Sequence, residues 1–336
     1  MDLSTQYMGI ELSSPVIVGA CNLVSNLKNL RKMQEAGAGA VVYRSLFEEQ
    51  LHLENLEISE AMAEYNNRNS EFNTFMPEFE HAGPKEYLAH LKKAKSVLDI
   101  PLFASINAVY EESWVQYAKQ IEEVGVDGIE LNLYVVPNEM DSGAFEALDW
   151  QIEIIKKIKA AISIPVAVKL SPYYSNPLQI IRRMEDAGAE AFVLFNRFFQ
   201  PDIDLEKETL TFPYNLSGEN DYRLAMRFAG LLYKNLDASI CASGGVFTGY
   251  DVAKLILAGA DSVQVVSTLY KNGIGQINLI NNQLKSFMES KGYNSLDEFR
   301  GKLSKVNIND PFAYNRAQYI DILLNSRDIF KKYPII

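Results

Sequence analysis

Four segments of the chain close a helical pattern in the same way: Glu35-Ala36-Gly37-Ala38, Glu123-Val124-Gly125-Val126, Asp186-Ala187-Gly188-Ala189 and Leu257-Ala258-Gly259-Ala260. Each is followed at once by an apolar strand, at 41–43, 128–133, 191–195 and 262–266. A glycine suits the position just past a helix end, where φ is positive. Between these units lies a second kind of strand, introduced by Ile100-Pro101 and Ile164-Pro165. The two prolines are 64 residues apart and Gly125 and Gly188 are 63 apart, so a unit of strand, helix, glycine, strand and helix recurs at nearly constant length. With 15–18 and 239–242 added, eight strands of two kinds alternate along the chain. Amphipathic helical stretches such as 114–124 and 178–187 separate them. Strands that are apolar throughout, as in AFVLF and SVQVV, belong in a parallel sheet whose outer face is covered. Eight alternating βα units predict an α/β chain folded as a closed (β/α)8 barrel, the TIM-barrel architecture, over an open doubly wound sheet.

A length of 336 residues accommodates that barrel as one domain over 1–336, with the barrel at about 15–290. Three departures from a minimal barrel are visible. A long polar and aromatic insertion, 47–83, follows the second strand, and another, 197–219, follows the sixth. Both emerge where strands end, so each is expected to form a lid or a site wall, with an oligomer contact or outer decoration as the alternative. The third is a C-terminal extension at about 306–336, whose apolar spacing predicts a helix outside the barrel.

Charge and cysteine content narrow the function. Lys plus Arg number 32 against 43 for Asp plus Glu, a net charge of -11, which argues against nucleic acid as a partner. The two cysteines, Cys21 and Cys241, sit in apolar contexts without a CxxC neighbour, so no metal site is expected and a reducing, cytoplasmic setting is. The N-terminus has no basic and apolar leader pattern, and no run approaches the roughly 20 apolar residues of a membrane span.

Residues 238–268 carry the clearest binding signal. One strand there runs into Ser243-Gly244-Gly245 and the next into Ser267-Thr268. Glycines let backbone N–H groups approach an anion, and a helix start beyond each strand adds a favourable dipole. This is the pattern of a phosphate site at the last two strands of a barrel, although the glycine pair alone is also explained by a turn. The other strand ends are Gly19-Ala20-Cys21, Arg44-Ser45, Ser105-Ile106-Asn107, Asn132-Leu133-Tyr134, Lys169 and Asn196. One lysine, one arginine and three asparagines therefore converge on one rim, whereas Lys169 taken singly also reads as a snorkelling surface residue. His52, His81 and His90 lie in or just after the first insertion, so no Ser-His-Asp set forms at the strand ends. A pair of strand-end carboxylates is missing too, which argues against glycoside hydrolysis. A neutral hydrogen-bonding rim with two cations and a phosphate cradle suits flavin mononucleotide, FMN, because a cation stabilises negative charge on the reduced ring.

The motifs SPVIVGAC, VVYRSL, ELNL…PN, PVAVKLSPY, LFN, NLSG, ASGGVFTGYD and KGYNSLDEFRGKL span roughly residues 5–306. In these the chain resembles the FMN-dependent dihydroorotate dehydrogenases of the soluble class 1 type. The resemblance implies that Ala20, Ser45, Asn132, Lys169, Ser217, Gly218, Gly244, Gly245, Ser267 and Thr268 surround FMN, and the strand-end reading adds Arg44 at the flavin's electron-rich edge and Ser243 at its phosphate end. It also implies that Asn132, Asn138 and Asn196 face a planar substrate, with Arg44 beside them and Asn73 reaching in from the first insertion. A homodimer and hydride transfer between FMN and a small cyclic substrate follow from the same resemblance.

This chain departs from the resembled pattern at three places. Arg44 stands where those enzymes have lysine, and Arg197 where a serine would follow Asn196. After the fourth strand they read Asn-Leu-Ser-Cys-Pro-Asn, and that cysteine is their base. Here the segment is Asn132-Leu133-Tyr134-Val135-Val136-Pro137-Asn138, with no thiol beside the proline. Loss of a general base costs about 10²- to 10⁴-fold, so a related cyclic amide or enone is expected in place of dihydroorotate. Tyr134 is the nearest group able to give a proton, and a packed wall of the pocket is its alternative role; Asp141 and Ser142 follow in the same loop. Two further readings stay open: a non-catalytic FMN protein that carries electrons or binds a partner, and a barrel for a sugar phosphate without flavin.

Overall fold

The computed structural model describes residues 1–48, 84–133, 146–197, 200–213 and 216–311, together with Tyr314 and Lys331. An antiparallel hairpin opens the chain, β1 (Thr5–Tyr7) and β2 (Ile10–Leu12). Then come β3 (Val16–Val18), α1 (Leu27–Glu35), β4 (Ala40–Phe47), α2 (Lys85–Ser96), β5 (Leu102–Asn107), α3 (Glu111–Val124) and β6 (Gly128–Asn132). The second half continues with α4 (Glu146–Ala161), β7 (Val166–Leu170), α5 (Pro177–Asp186), β8 (Ala191–Leu194) and the hairpin β9 (Asp202–Asp204) and β10 (Thr209–Thr211). It ends with α6 (Arg223–Leu232), β11 (Ser239–Ser243), α7 (Gly249–Ala258), β12 (Ser262–Val265), α8 (Ser267–Asn272) and α9 (Gln276–Lys291).

Eight strands close a parallel barrel in the order β11-β12-β3-β4-β5-β6-β7-β8. The eight expected strands are these eight, within a few residues at their ends. The four helix-closing glycines all have positive φ: 89° at Gly37, 85° at Gly125, 106° at Gly188 and 129° at Gly259. That conformation lets the chain turn directly from a helix into the next strand.

Side chains alternate along the strands, apart from one irregularity in β4. Val16, Val18, Val41, Tyr43, Ile129, Leu131, Val166 and Val168 face the helices in one large core. Ile17, Ala40, Val42, Phe103, Ala167, Val193 and Cys241 face inward and form a second. The N-terminal hairpin, not foreseen from the sequence, supplies Tyr7, Met8 and Leu12 to this inner cluster. Thr5 Oγ1 donates to the Asp261 carbonyl and the Met8 N–H to Ser239 Oγ, so the hairpin plugs the end of the barrel where β11 and β12 begin. Its turn, Met8-Gly9, has φ of 54° and 74°, as a two-residue hairpin connection needs.

Helix α7 is fixed beside the glycine pair by a capping box. Thr248 Oγ1 accepts from the Asp251 N–H, and the Asp251 carboxylate accepts from the Thr248 N–H. A Thr248→Ala variant is expected to lose about 1 kcal/mol of stability in urea unfolding, and no loss would mean the box is idle.

Part of the second insertion is the β9–β10 hairpin, which carries Ile203, Leu205, Leu210 and Phe212 in exposed positions. The first insertion lies outside the described residues from 49 to 83, and the C-terminal extension lies outside them beyond 311 apart from Tyr314 and Lys331. Among the described residues no helix is long and apolar enough to cross a membrane.

Candidate active site

Towards the strand C-termini the inward alternation turns from apolar to polar. Phe103 is followed two residues on by Ser105 and then Asn107, Gly128 by Glu130 and Asn132, Ala167 by Lys169, and Cys241 by Ser243, while β12 carries Ser262 and then Gln264. Register places these side by side: Ser45 pairs with Ser105, Ser105 with Glu130, and Asn132 with Lys169. The polar layer is therefore the upper floor of the same interior whose lower floor is packed with apolar side chains.

At its centre Lys169 is held between two buried partners. Its Nζ lies 3.1 Å from Gln264 Oε1 and 3.5 Å from Glu130 Oε1, and Gln264 Nε2 donates to the other oxygen of Glu130. The Lys169 side chain is 11% exposed and that of Glu130 2%, so the pair is nearly out of water. Such a pair adds little net stability, because desolvation offsets the attraction, but it holds the ammonium in one place. Glu130 and Gln264 were not foreseen as site residues. Their signal was a large polar residue in the middle of a largely apolar strand, within two positions of its end.

Three adjoining cavities open above this layer. One, of about 280 Å³, is lined by Ala20, Lys169, Ser217, Ser243, Gly244, Gly245 and Ser267, among others. A second, of about 300 Å³, is lined by Ala20, Ser45, Ser105, Asn107, Glu130, Asn132, Lys169 and Asn196. Arg197 borders both, and also a third of about 300 Å³ towards Tyr173 and Gln200. Together they lie within the size range of small-molecule sites.

The glycine pair has the conformation a cradle needs. Gly244 and Gly245 have φ of 94° and 70°. A side chain at Gly244 would project into open space, its nearest neighbour being Ser217 Oγ at 4.0 Å, and would so take up room in the cavity. Ser267 Oγ accepts from the Ser217 N–H at 2.9 Å, joining the two loops that form this end. Helix α8 beyond Ser267 has only six residues, so the cradle rests on the glycines and hydroxyls.

Most of the expected residues meet here, but not all. Asn196 Nδ2 donates to Asn132 Oδ1 at 2.8 Å, and Ser45 and Ser105 share a hydrogen bond of 2.8 Å. Arg44, Gly218 and Thr268 are not among the described residues lining the three cavities. The strand pairing shifts register between Val42 and Ser45, which gives Ser45 the inward position and takes Arg44 out of the alternation. Its guanidinium carbon instead lies 5.8 Å from the ring centre of Tyr87 on α2. Gly218 donates its N–H to Asp221 Oδ2, and the buried Thr268 accepts from Asn272 Nδ2. Tyr134, Asn138 and Asn73 lie outside the described residues.

Burial acts against thiolate formation at both cysteines. Burial pushes the Cys241 thiol up to about 12, deep in the inner cluster. Cys21 lines the cavity at the glycine end, and burial raises its pKa as well.

The eight-stranded parallel barrel thus sets a lysine in its inner polar layer and a glycine pair beyond β11 at the strand C-termini, the end where barrel enzymes keep their sites. The family model for dihydroorotate dehydrogenase matches residues 73–288, and the chain belongs to that family. It is 31% identical over 315 residues to the catalytic subunit of dihydroorotate dehydrogenase B (NAD(+)) from Thermoplasma volcanium, covering 89% of this chain and 98% of that protein. The corresponding subunit from Methanocaldococcus jannaschii is 29% identical over 308 residues, 89% of this chain and 97% of its own length. The chloroplastic dihydropyrimidine dehydrogenase (NADP(+)) of Arabidopsis thaliana is 25% identical over 337 residues, with 89% of this chain and 76% of that protein covered.

Proposed function

We propose that the protein is an FMN-dependent oxidoreductase of the dehydrogenase type, moving a hydride between FMN and a dihydropyrimidine-like ring. The observation that carries this reading is that Lys169 and the Gly244-Gly245 cradle line one cavity, with the amide-bearing floor of the next cavity beside it. The donors fit the group: glycines and serine hydroxyls for a phosphate, and a fixed ammonium for an electron-rich ring edge. FMN, when bound, supplies the acceptor or donor of the hydride. The relatives named for dihydroorotate and dihydropyrimidine oxidation support the substrate class.

Each residue then has a physical task. Lys169, oriented by Glu130 and Gln264, would supply a fixed positive charge to the electron-rich edge of a bound flavin. Ser217, Ser243, Gly244, Gly245 and Ser267, which line one cavity, would hold its phosphate end. Asn132 and Asn196 address the substrate. Their mutual bond uses one Asn132 acceptor and one Asn196 hydrogen, which leaves an amide donor on the first and an acceptor on the second for a ring with –NH–C=O edges.

Proton transfer is where this chain's specificity lies. No cysteine stands in 134–145; of the chain's two thiols Cys241 is buried and Cys21 half-buried, and burial raises the pKa of both. The natural substrate is accordingly a cyclic amide or enone related to dihydroorotate, with Tyr134 the proposed proton donor in the reductive direction. The exposed apolar residues of the β9–β10 hairpin support a homodimer. The relatives named as catalytic subunits make a second, electron-accepting subunit the parallel arrangement to test.

Anaerobic titration of the FMN-loaded protein with dihydroorotate tests the reading. Slow or absent bleaching is expected, with faster bleaching by a reduced cyclic amide of similar size. Rapid bleaching by dihydroorotate overturns the altered substrate, and a protein that binds no FMN overturns the whole reading.

A further inference from the structure

Arg197 is the cation of the site that neither the barrel pattern nor the rim inventory assigned. It follows Asn196 at the end of β8, where the resembled enzymes have serine, and it borders all three cavities. Its Nη1 donates to Ser217 Oγ at 3.0 Å and to Asp221 Oδ2 at 2.9 Å. The same Asp221 oxygen accepts from the Gly218 N–H at 2.9 Å. A guanidinium and a backbone N–H thus converge on one anionic oxygen at the wall of the glycine cradle. Ser217 Oγ in turn lies 4.0 Å from where a Cβ on Gly244 would stand, which puts the guanidinium one hydroxyl away from the glycine pair.

We infer that Arg197 is a phosphate ligand of this chain, and that Asp221 holds its place until a phosphate monoester arrives. The inference rests on the FMN reading and assigns a charge to its phosphate end. The exchange is physically easy. The Arg197 and Asp221 side chains are 35% and 46% exposed, so water already weakens their attraction. A doubly charged phosphate offers the guanidinium shorter, charge-assisted and bidentate hydrogen bonds. Ser217 links the arginine to the cradle, so the guanidinium turns from one oxygen to another without a change of backbone. The site then distinguishes phosphorylated from unphosphorylated flavin by charge as well as by the neutral donors of the glycines.

Fluorescence titrations of the full-length apoprotein with FMN and with riboflavin read this directly. In Arg197→Ser the FMN dissociation constant is expected to rise at least tenfold while that for riboflavin stays within about twofold, the tenfold step being the 1.4 kcal/mol of a single charged contact. Arg197→Lys restores part of the loss. Asp221→Asn removes the competing anion and is expected to lower the FMN constant threefold or more, an effect opposite in sign to any general damage to the loop. Raising the salt concentration narrows the FMN-to-riboflavin ratio of the parent more than that of Arg197→Ser. Equal weakening towards both flavins in Arg197→Ser overturns the inference and leaves a structural role for the arginine. So does an Asp221→Asn protein that binds FMN no better than the parent. A parent protein that binds neither flavin is a different failure, that of the FMN reading itself.

Discussion

A Lys169→Met variant is expected to reduce its flavin at least about 10²-fold more slowly than the parent, the usual effect of removing one preorganised charge from a reacting centre. The methionine keeps the length of the side chain and deletes only the ammonium. Two consequences follow from the geometry and are separable. The flavin loses the cation beside its electron-rich edge, so its midpoint potential falls. Glu130, 2% exposed and 3.5 Å from Nζ, loses its counter-ion, which costs about 3–5 kcal/mol of stability for an uncompensated buried charge. Adding Glu130→Gln removes that charge. The double variant should regain most of the stability in urea unfolding and none of the rate. Stopped-flow reduction with any substrate that bleaches the parent provides the comparison. A single variant within threefold of the parent rate would show that Lys169 is a structural cation only.

Gly245→Ala should be the most damaging single methyl group at the cradle. At a φ of 70° an alanine is strained by roughly 1–2 kcal/mol. Its Cβ would also stand 2.6 Å from the Gly218 carbonyl oxygen and 2.8 Å from both the Asp221 N and Cβ. Two of those atoms are backbone, so a loop must move, at a further cost of about 1–3 kcal/mol. The expected loss is about 2–5 kcal/mol in urea unfolding, together with FMN binding. Gly244→Ala supplies the contrast. Its added Cβ has room, and its penalty is confined to a φ of 94°, so stability should fall less while FMN affinity still falls, because the methyl group occupies the cavity. Equal stability of the two variants would mean that the 2.6 Å approach is relieved without cost. Undiminished FMN affinity in both would mean that the phosphate lies elsewhere.

The residues that were legible beforehand are those whose position follows from local pattern. Lys169, Asn132, Ser243 and Ser267 could be found because each stands at or within two residues of the end of a barrel strand. The same rule, applied one step deeper into the strand, would have reached Glu130 and Gln264, since both sit on the inward period. Arg44 is the instructive exception. Counting along VVYRSL gives it a rim position beside Ser45, yet one irregularity between Val42 and Ser45 turned Ser45 inward and left the guanidinium against Tyr87. A register shift depends on how β4 lies against β5, and no property of the segment itself announces it.

By itself the sequence determined the barrel, its eight strands and the glycine cradle, because each arises from interactions within a few tens of residues: a helix stopped by glycine, a strand started by proline, an apolar run long enough to be buried. Tertiary structure alone decided how the charges are partnered. Glu130, Lys169 and Gln264 come from three strands, the first and last 134 positions apart, and meet only because the barrel closes. Arg197 finds Asp221 across a 24-residue excursion that carries the β9–β10 hairpin. Contacts of that kind depend on closure and register, which belong to the whole sheet and to no single stretch of it.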